Sequence, residues 1–251
     1  AATPAAAEQL LAAALKRLAG AGCTRVLGPM DAATWFSYRF VTWTDNSPPF
    51  PFEPSNPAAY PAWFEAAGFA PETVYESRVV TVPGARDPRA ERARHRLENA
   101  GVTFRSLERG DFENELRRIH AVSVASFADN AHYREIGAAR FLQLYRPVLP
   151  YVDETFVLLA EHRGHPVGYA FAVPDRGSGR LVFKTLAVLP GRDYAGLGLV
   201  LSEEVHRRAE ASGYRAVIHA LQEKSNAVRN ITARMGAKPI REYTLYARPL
   251  P

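Results

Sequence analysis

The chain has 251 residues, enough for one large or two modest hydrophobic cores. With 47% hydrophobic and 23% charged residues it has the composition of a globular protein, and no apolar run is long enough to span a bilayer. Cys23 is the lone cysteine, which excludes an internal disulfide and a cysteine-based metal site, and the net charge of +5 suits anionic ligands.

The predicted elements begin with an amphipathic helix over Glu8–Ala19, stopped by Gly20 and Gly22, and a short strand, Thr24–Leu27. Gly28–Phe52 is an aromatic-rich insertion carrying Trp35, Phe36, Tyr38, Phe40, Trp43, Phe50 and Phe52, stiffened at its end by Pro48, Pro49 and Pro51. Most of these rings are expected to pack as core, with one or two reaching a substrate pocket near Arg39, Asp45 and Glu53. Glu53-Pro-Ser-Asn56 then leads to a helix closed by Gly68.

Residues 85–100 hold Arg86, Arg89, Arg92, Arg94 and Arg96 and read as an exposed basic linker or helix. They match no nucleic-acid-binding motif, so no nucleic-acid partner is expected. Further on, Val102–Leu107 reads as a strand. A helix follows from about Phe112 to Ser126, capped by Asp111, and a second from Ile136 to Tyr145, stopped by Pro147. Thr155–Ala160 and Pro166–Val173 form a hairpin about Glu161-His-Arg-Gly164.

Leu181–Pro190 is an apolar strand, followed by the turn Gly191-Arg-Asp-Tyr-Ala-Gly-Leu-Gly198 and a helix over Leu199–Ser212 ended by Gly213. A strand, a glycine-bearing turn and a helix start form a geometry suited to a phosphate, because unpaired helix N–H groups and the helix dipole point at the turn. Gly196 and Gly198 lack a Cβ and so admit a close approach to the backbone. The chain continues with a strand over Ala216–Leu221, the segment Glu223-Lys-Ser-Asn226, a helix over Ala227–Met235 closed by Gly236, and a last strand, Glu242–Arg248.

Leu186-Ala-Val-Leu-Pro190, Gly196-Leu-Gly198, and Ser225-Asn226 with Arg229-Asn230 before Met235-Gly236 resemble the motifs of the GNAT-superfamily N-acetyltransferases, in that family's order. The resemblance covers about Gly101 to Pro251. It implies an α+β fold, a mixed and mostly antiparallel sheet flanked by helices, with acetyl-CoA as cofactor. It also implies that Leu186, Ala187 and Val188 pair with the pantetheine arm, with Val188 N–H as oxyanion donor. Arg192, Tyr194, Ala195, Gly196, Leu197 and Gly198 would hold the pyrophosphate, Asn226 would sit beside the thiol end, and Arg229 is a further cofactor-binding residue. Two departures stand out. Asp193 occupies a position where the family carries Arg or Gln, and the helix after Asn226 has no tyrosine to protonate the departing thiolate, with Asn230 and Thr232 in that region.

Residues 1–84 resemble a truncated second copy of the same C-terminal half. Glu53, Ser55 and Asn56 answer Glu223, Ser225 and Asn226; Gly68 answers Gly236; and Tyr75 and Tyr243 each follow their glycine by the same seven residues. The expected organisation is therefore a partial copy (1–84, insertion 28–52), a basic linker (85–100) and a complete domain (101–251). The partial copy has no phosphate turn.

Acetyl transfer needs a group to take the proton of the acceptor ammonium and a donor for the oxyanion. His219 and Glu223 are the candidate bases, His219 because imidazole titrates near neutral pH. The expected partner is a small amine, in a monomer or homodimer located in the cytoplasm, with no metal and no membrane. A transferase of another acyl group and a non-catalytic CoA-binding protein are the alternatives.

Overall fold

The computed structural model describes residues 3–84, 86–224 and 228–251, with the backbone alone for 228–230. The N-terminal third contains helix α1 (Pro4–Gly20), strands β1 (Arg25–Gly28) and β2 (Phe40–Thr44), helix α2 (Tyr60–Ala66) and strand β3 (Ala70–Thr81). Helix α3 (Pro88–Asn99) leads to strand β4 (Val102–Ser106), helices α4 (Phe112–Phe127) and α5 (Ala138–Tyr145), and the antiparallel strands β5 (Val157–His162), β6 (His165–Asp175) and β7 (Arg180–Val188). Helix α6 (Leu197–Ala211), strand β8 (Ala216–Glu223), helix α7 (Val228–Arg234) and strand β9 (Lys238–Pro249) complete the chain.

The helix starts follow local chemistry. Thr3 caps α1 by accepting from the Ala6 N–H at 3.2 Å, with Pro4 in the first turn. Asp87 caps α3 by accepting from the Arg89 N–H at 3.0 Å, with Pro88 beside it. No helix is both long and apolar enough to cross a membrane among the described residues.

All nine strands join one mixed sheet in the order β1-β9-β3-β8-β7-β6-β5-β4, with β2 also paired to β9. Every pairing is antiparallel except β7 with β8. Side chains alternate across the strands. Leu158 and Ala160 of β5 face α6, whose Leu197, Val200, Leu201, Val205 and Ala209 are fully buried there. Val157 and Leu159 face α4 and α5 on the opposite side, against Leu116, Ile119 and Phe141. The result is the expected sheet between helical layers.

The internal repeat takes a specific form in the sheet. β3 follows α2 and Gly68, and β9 follows α7 and Gly236, both glycines having positive φ. These two strands pair antiparallel with Tyr75 opposite Tyr243. β1 lies beside β9 and β8 beside β3, so each half is completed by the strand of the other. The sequence boundary near residue 84 is therefore not a seam in the sheet. Two further details differ from the sequence reading. The aromatic insertion contributes a strand, β2, held by Asn56, whose Oδ1 accepts from the Val41 N–H at 2.7 Å. And α3 is packed rather than loose, with Leu97 fully buried and Arg94 paired to Glu204 of α6 at 3.1 Å.

Candidate functional site

The sheet opens at its centre. β7 and β8 pair in parallel only from Arg180 opposite Ala216 to Phe183 opposite His219. Beyond that point β7 keeps its pairing with β6, Thr185 to Phe171 through Val188 to Gly168, while β8 keeps its pairing with β3. The break coincides with a bulge, since Phe183 and Thr185 face consecutive residues of β6 and Lys184 is the extra residue. The bulge also shifts the side-chain phase, so that Leu181 and Phe183 before it and Leu186 and Val188 after it all face the α6 layer, while Ala187 faces α4. The Leu189 N–H donates to Val167 O at 2.9 Å on the β6 side. Successive amides of an extended strand point to opposite sides, so the Val188 N–H faces the opening.

The turn after β7 is a short 3₁₀ segment, Arg192–Tyr194, then Gly196 in the left-handed region (φ 83°) as the N-cap of α6. Arg192, Asp193, Ala195 and Gly196 are exposed, so Asp193 has solvent to point into. The Tyr194 hydroxyl hydrogen-bonds His162 Nδ1 at 3.2 Å, which ties the turn to β5. The side chain of Leu197 is fully buried in the core, which leaves only its backbone for a ligand. A Cβ on Gly196 would lie 3.0 Å from the Ala93 Cβ of α3, and one on Gly198 would make ordinary contacts with Leu186 and Val188. Gly196 is thus required by its φ and by the approach of α3. Gly196→Ala is expected to cost about 1–3 kcal/mol in equilibrium denaturation, through the left-handed backbone and the α3 contact. The α3 side chain Arg96, from the segment expected to be a basic linker or helix, also donates to the Ala195 carbonyl and places a cation beside the turn.

The opening continues into a cavity of about 630 Å³. One wall is the N-terminal insertion, where Trp35, Phe36, Tyr38 and Phe52 all reach the cavity, more rings than expected. Phe40 and Phe50 are core, and Trp43 is 44% exposed. Trp35 spans to the other half of the chain, donating to Arg134 O at 2.7 Å and packing edge-on against Phe141 of α5. The opposite wall is Lys184, Thr185 and Leu186 of β7 with His219 to Glu223 of β8. Among the polar residues expected near the pocket, Arg39 and Glu53 line the cavity, whereas Asp45 pairs with Arg241 at 2.8 Å.

Solved structures share this architecture. The sequence matches no protein-family model and no curated protein. A GCN5-related N-acetyltransferase from Sphaerobacter thermophilus is similar over 77% of this chain and 56% of its own, with a TM-score of 0.55 and 17% identity. A tandem GNAT protein from the clavulanic acid biosynthesis pathway is similar over 96% of this chain and 69% of its own, with a TM-score of 0.51 and 15% identity. The chain has the GNAT fold. A third GNAT structure, the glucosamine N-acetyltransferase region of a fungal multi-domain GH3 β-N-acetylglucosaminidase, is similar over 94% of this chain but only 27% of its own, with a TM-score of 0.57 and 12% identity. The chain thus spans just over half of the first of these structures and about a quarter of the third.

Within the GNAT fold the predicted residues sort as follows. Leu186, Ala187 and Val188 lie on the open stretch of β7, and Arg192 to Gly198 form the turn at its end. Asn226 and the side chain of Arg229 lie outside the described residues. His219 is a poor base here. It is 2% exposed, and its Nε2 meets His206 Nε2 at 2.8 Å. Burial, with the adjacent His206 ring, pushes its pKa well below the ordinary histidine value, and burial pushes His206 down to about 4. Both rings are neutral near pH 7 and one donates to the other. Glu223 keeps a carboxylate on the cavity wall. In the region searched for a general acid, Thr232 is fully buried and its hydroxyl donates to Gln222 Oε1 at 3.3 Å. Lys184 was missed: it lines the cavity at the bulge, and burial, reinforced by the charge of Arg39, pushes its pKa down to about 8. The available signal was one lysine inside an otherwise apolar strand.

Proposed function

We propose that this protein is an acetyl-CoA-dependent N-acetyltransferase acting on a small amine. The observation that carries the reading is the parting of β7 from β8 after Phe183, which exposes a backbone edge between the turn at Arg192–Gly198 and a cavity of acceptor size. The residues present suit the cofactor. The open edge of β7 would offer amides and carbonyls to a pantetheine arm. The start of α6, with Arg192 exposed and Arg96 beside it, offers N–H groups and positive charge to a pyrophosphate. One of the structural neighbours is a glucosamine N-acetyltransferase region, which supports a small-molecule amine as acceptor.

Bound acetyl-CoA supplies an activated acyl group. The chain's own contribution is positional. Val188 N–H faces the opening, where it would donate to the carbonyl oxygen as negative charge develops there. Glu223, at the end of β8, is the carboxylate on the cavity wall that would accept the acceptor's ammonium proton, directly or through a water. The aromatic wall from the insertion would exclude water from the acceptor and hold it against β7.

Release of free thiol from acetyl-CoA in the presence of a panel of small amines tests this reading. Turnover with at least one amine supports it; CoA binding with no turnover on any amine would leave a binding protein. Arg192→Glu is expected to weaken CoA affinity about tenfold through charge reversal at the turn, read by calorimetry, with little change in thermal stability because the side chain is exposed.

A further inference from the structure

Two cations line the acceptor cavity with no carboxylate beside either. Arg39 is 92% buried by its 8% exposure, and its guanidinium packs 4.1 Å from the Tyr38 ring centre and 4.2 Å from that of Tyr75. Its Nε and Nη1 have no hydrogen-bond partner. Lys184 reaches the same cavity from the β7 bulge, with its Nζ 5.9 Å from the Phe52 ring centre. Among the described residues neither forms an ion pair or a hydrogen bond to an acidic side chain, and the charge of Arg39 is felt at Lys184. The cavity's two carboxylates form no ion pair with either cation among the described residues. Glu53 is committed to Arg241 Nε at 2.9 Å and to the Tyr243 hydroxyl at 2.9 Å, and Glu223 stands at the end of β8.

Two like charges sharing a low-dielectric cavity repel each other, and a buried cation without a partner is costly. Both costs fall when an anion sits between them. Residues that raise the energy of the empty cavity are expected where a ligand relieves it. The guanidinium of Arg39 lies against the Tyr38 and Tyr75 rings, which stand perpendicular to each other and offer it no acceptor in place of the ones its Nε and Nη1 lack, so a carboxylate would supply what the aromatic walls do not.

We propose that the acceptor carries a carboxylate as well as its amine, and that Arg39 and Lys184 together hold that carboxylate. The proposal rests on the transferase reading for the identity of the occupant, but the anion site itself does not depend on it. An amine at Glu223 and a carboxylate at Arg39 and Lys184 would orient one zwitterionic molecule, such as an amino acid or amino acid derivative, across the cavity toward the opening of β7.

The test uses the full chain and needs no knowledge of the acceptor. Lys184 is modified by reductive methylation and quantified by peptide mass spectrometry with millimolar benzoate, benzamide or inorganic phosphate present, while CoA affinity is measured on the same preparations. Benzoate is expected to slow modification of Lys184 at least about fivefold relative to benzamide, the range of a charge-assisted contact, and Arg39→Met is expected to remove that protection. Arg39→Lys, which keeps a charge without the planar fork, should retain only part of it and serves if Arg39→Met folds poorly. Equal protection by benzoate and benzamide, protection by neither, protection by phosphate alone, or full protection in Arg39→Met with CoA affinity intact would each overturn the proposal. Benzoate protection without CoA binding would instead sink the transferase reading and leave the anion site standing. CoA binding without benzoate protection would do the reverse.

Discussion

Arg241→Met is expected to be the most destabilising of the variants considered, at about 3–5 kcal/mol in equilibrium unfolding, because it strands a buried carboxylate. Arg241 is 4% exposed on β9, and its Nε meets Glu53 Oε1 at 2.9 Å. Its Nη1 reaches Asp45 Oδ1 at 2.8 Å and Ser47 Oγ at 3.0 Å. Glu53 in turn accepts from the Tyr243 hydroxyl at 2.9 Å and the Phe50 N–H at 3.2 Å. This knot fastens the end of the aromatic insertion to the strand that carries the repeat's tyrosine. Removing the cation leaves Glu53 buried and charged against neutral partners. The insertion should then loosen and acceptor affinity should fall with stability, while CoA affinity changes little. Glu53→Gln combined with Arg241→Met should recover part of the loss, since neutralising both partners avoids the stranded charge. Additive losses in the double variant would contradict this account.

Lys184→Met is expected to move stability and function in opposite directions. The folded chain holds Lys184 at a pKa of about 8 against an ordinary value of 10.5. Below pH 8 the lysine is charged in both the folded and unfolded states, and the folded state bears the full penalty of burying it. Between pH 8 and 10.5 the folded state has released the proton and the unfolded state has not, so stability rises with pH across that window. Replacing the lysine removes a penalty of about 2–3 kcal/mol at pH 7, with the gap to wild type closing toward pH 10.5. The same change should raise the acceptor KM by tenfold or more while leaving CoA affinity intact. Wild-type acceptor affinity should also weaken as pH rises through about 8, as Lys184 loses its charge while Arg39 keeps its own. The other ionisable groups facing this region are Glu53, Glu223, His219, Tyr38, Tyr75, Tyr133, Tyr145 and Tyr169. A variant less stable than wild type at pH 7, or a flat acceptor profile between pH 7 and 9, would contradict this reading.

Much of this molecule was legible in order and little of it in contact. The strand, turn and helix from Leu181 to Ser212 are written in local periodicity and glycine placement, and they fold as β7, the Arg192–Gly198 turn and α6. The tyrosines that follow Gly68 and Gly236 by the same seven residues stand on two strands, β3 and β9. That those strands trade places, with Tyr75 facing Tyr243, depends on pairing over 168 residues of sequence and leaves no local trace. The bulge at Lys184 adds one residue to an apolar run and shifts the phase of everything after it. The contact between His206 and His219, which disqualifies the latter as a base, joins a helix face to a strand face and has no signature in either. The second constraint on Gly196 was not legible, because α3, which packs back onto the turn, lies about a hundred residues upstream.

The central claim is that CoA lies in the opening of β7 with its pyrophosphate at the start of α6, and hydrogen exchange tests it most directly because the contacts are backbone amides. On saturation with CoA, slowed exchange is predicted at Leu186–Leu189 and across Gly191–Val200, with β4 and β1 at the sheet's ends unchanged. Protection confined to the cavity's insertion wall at residues 34–39, or no change anywhere in 186–200, would contradict it.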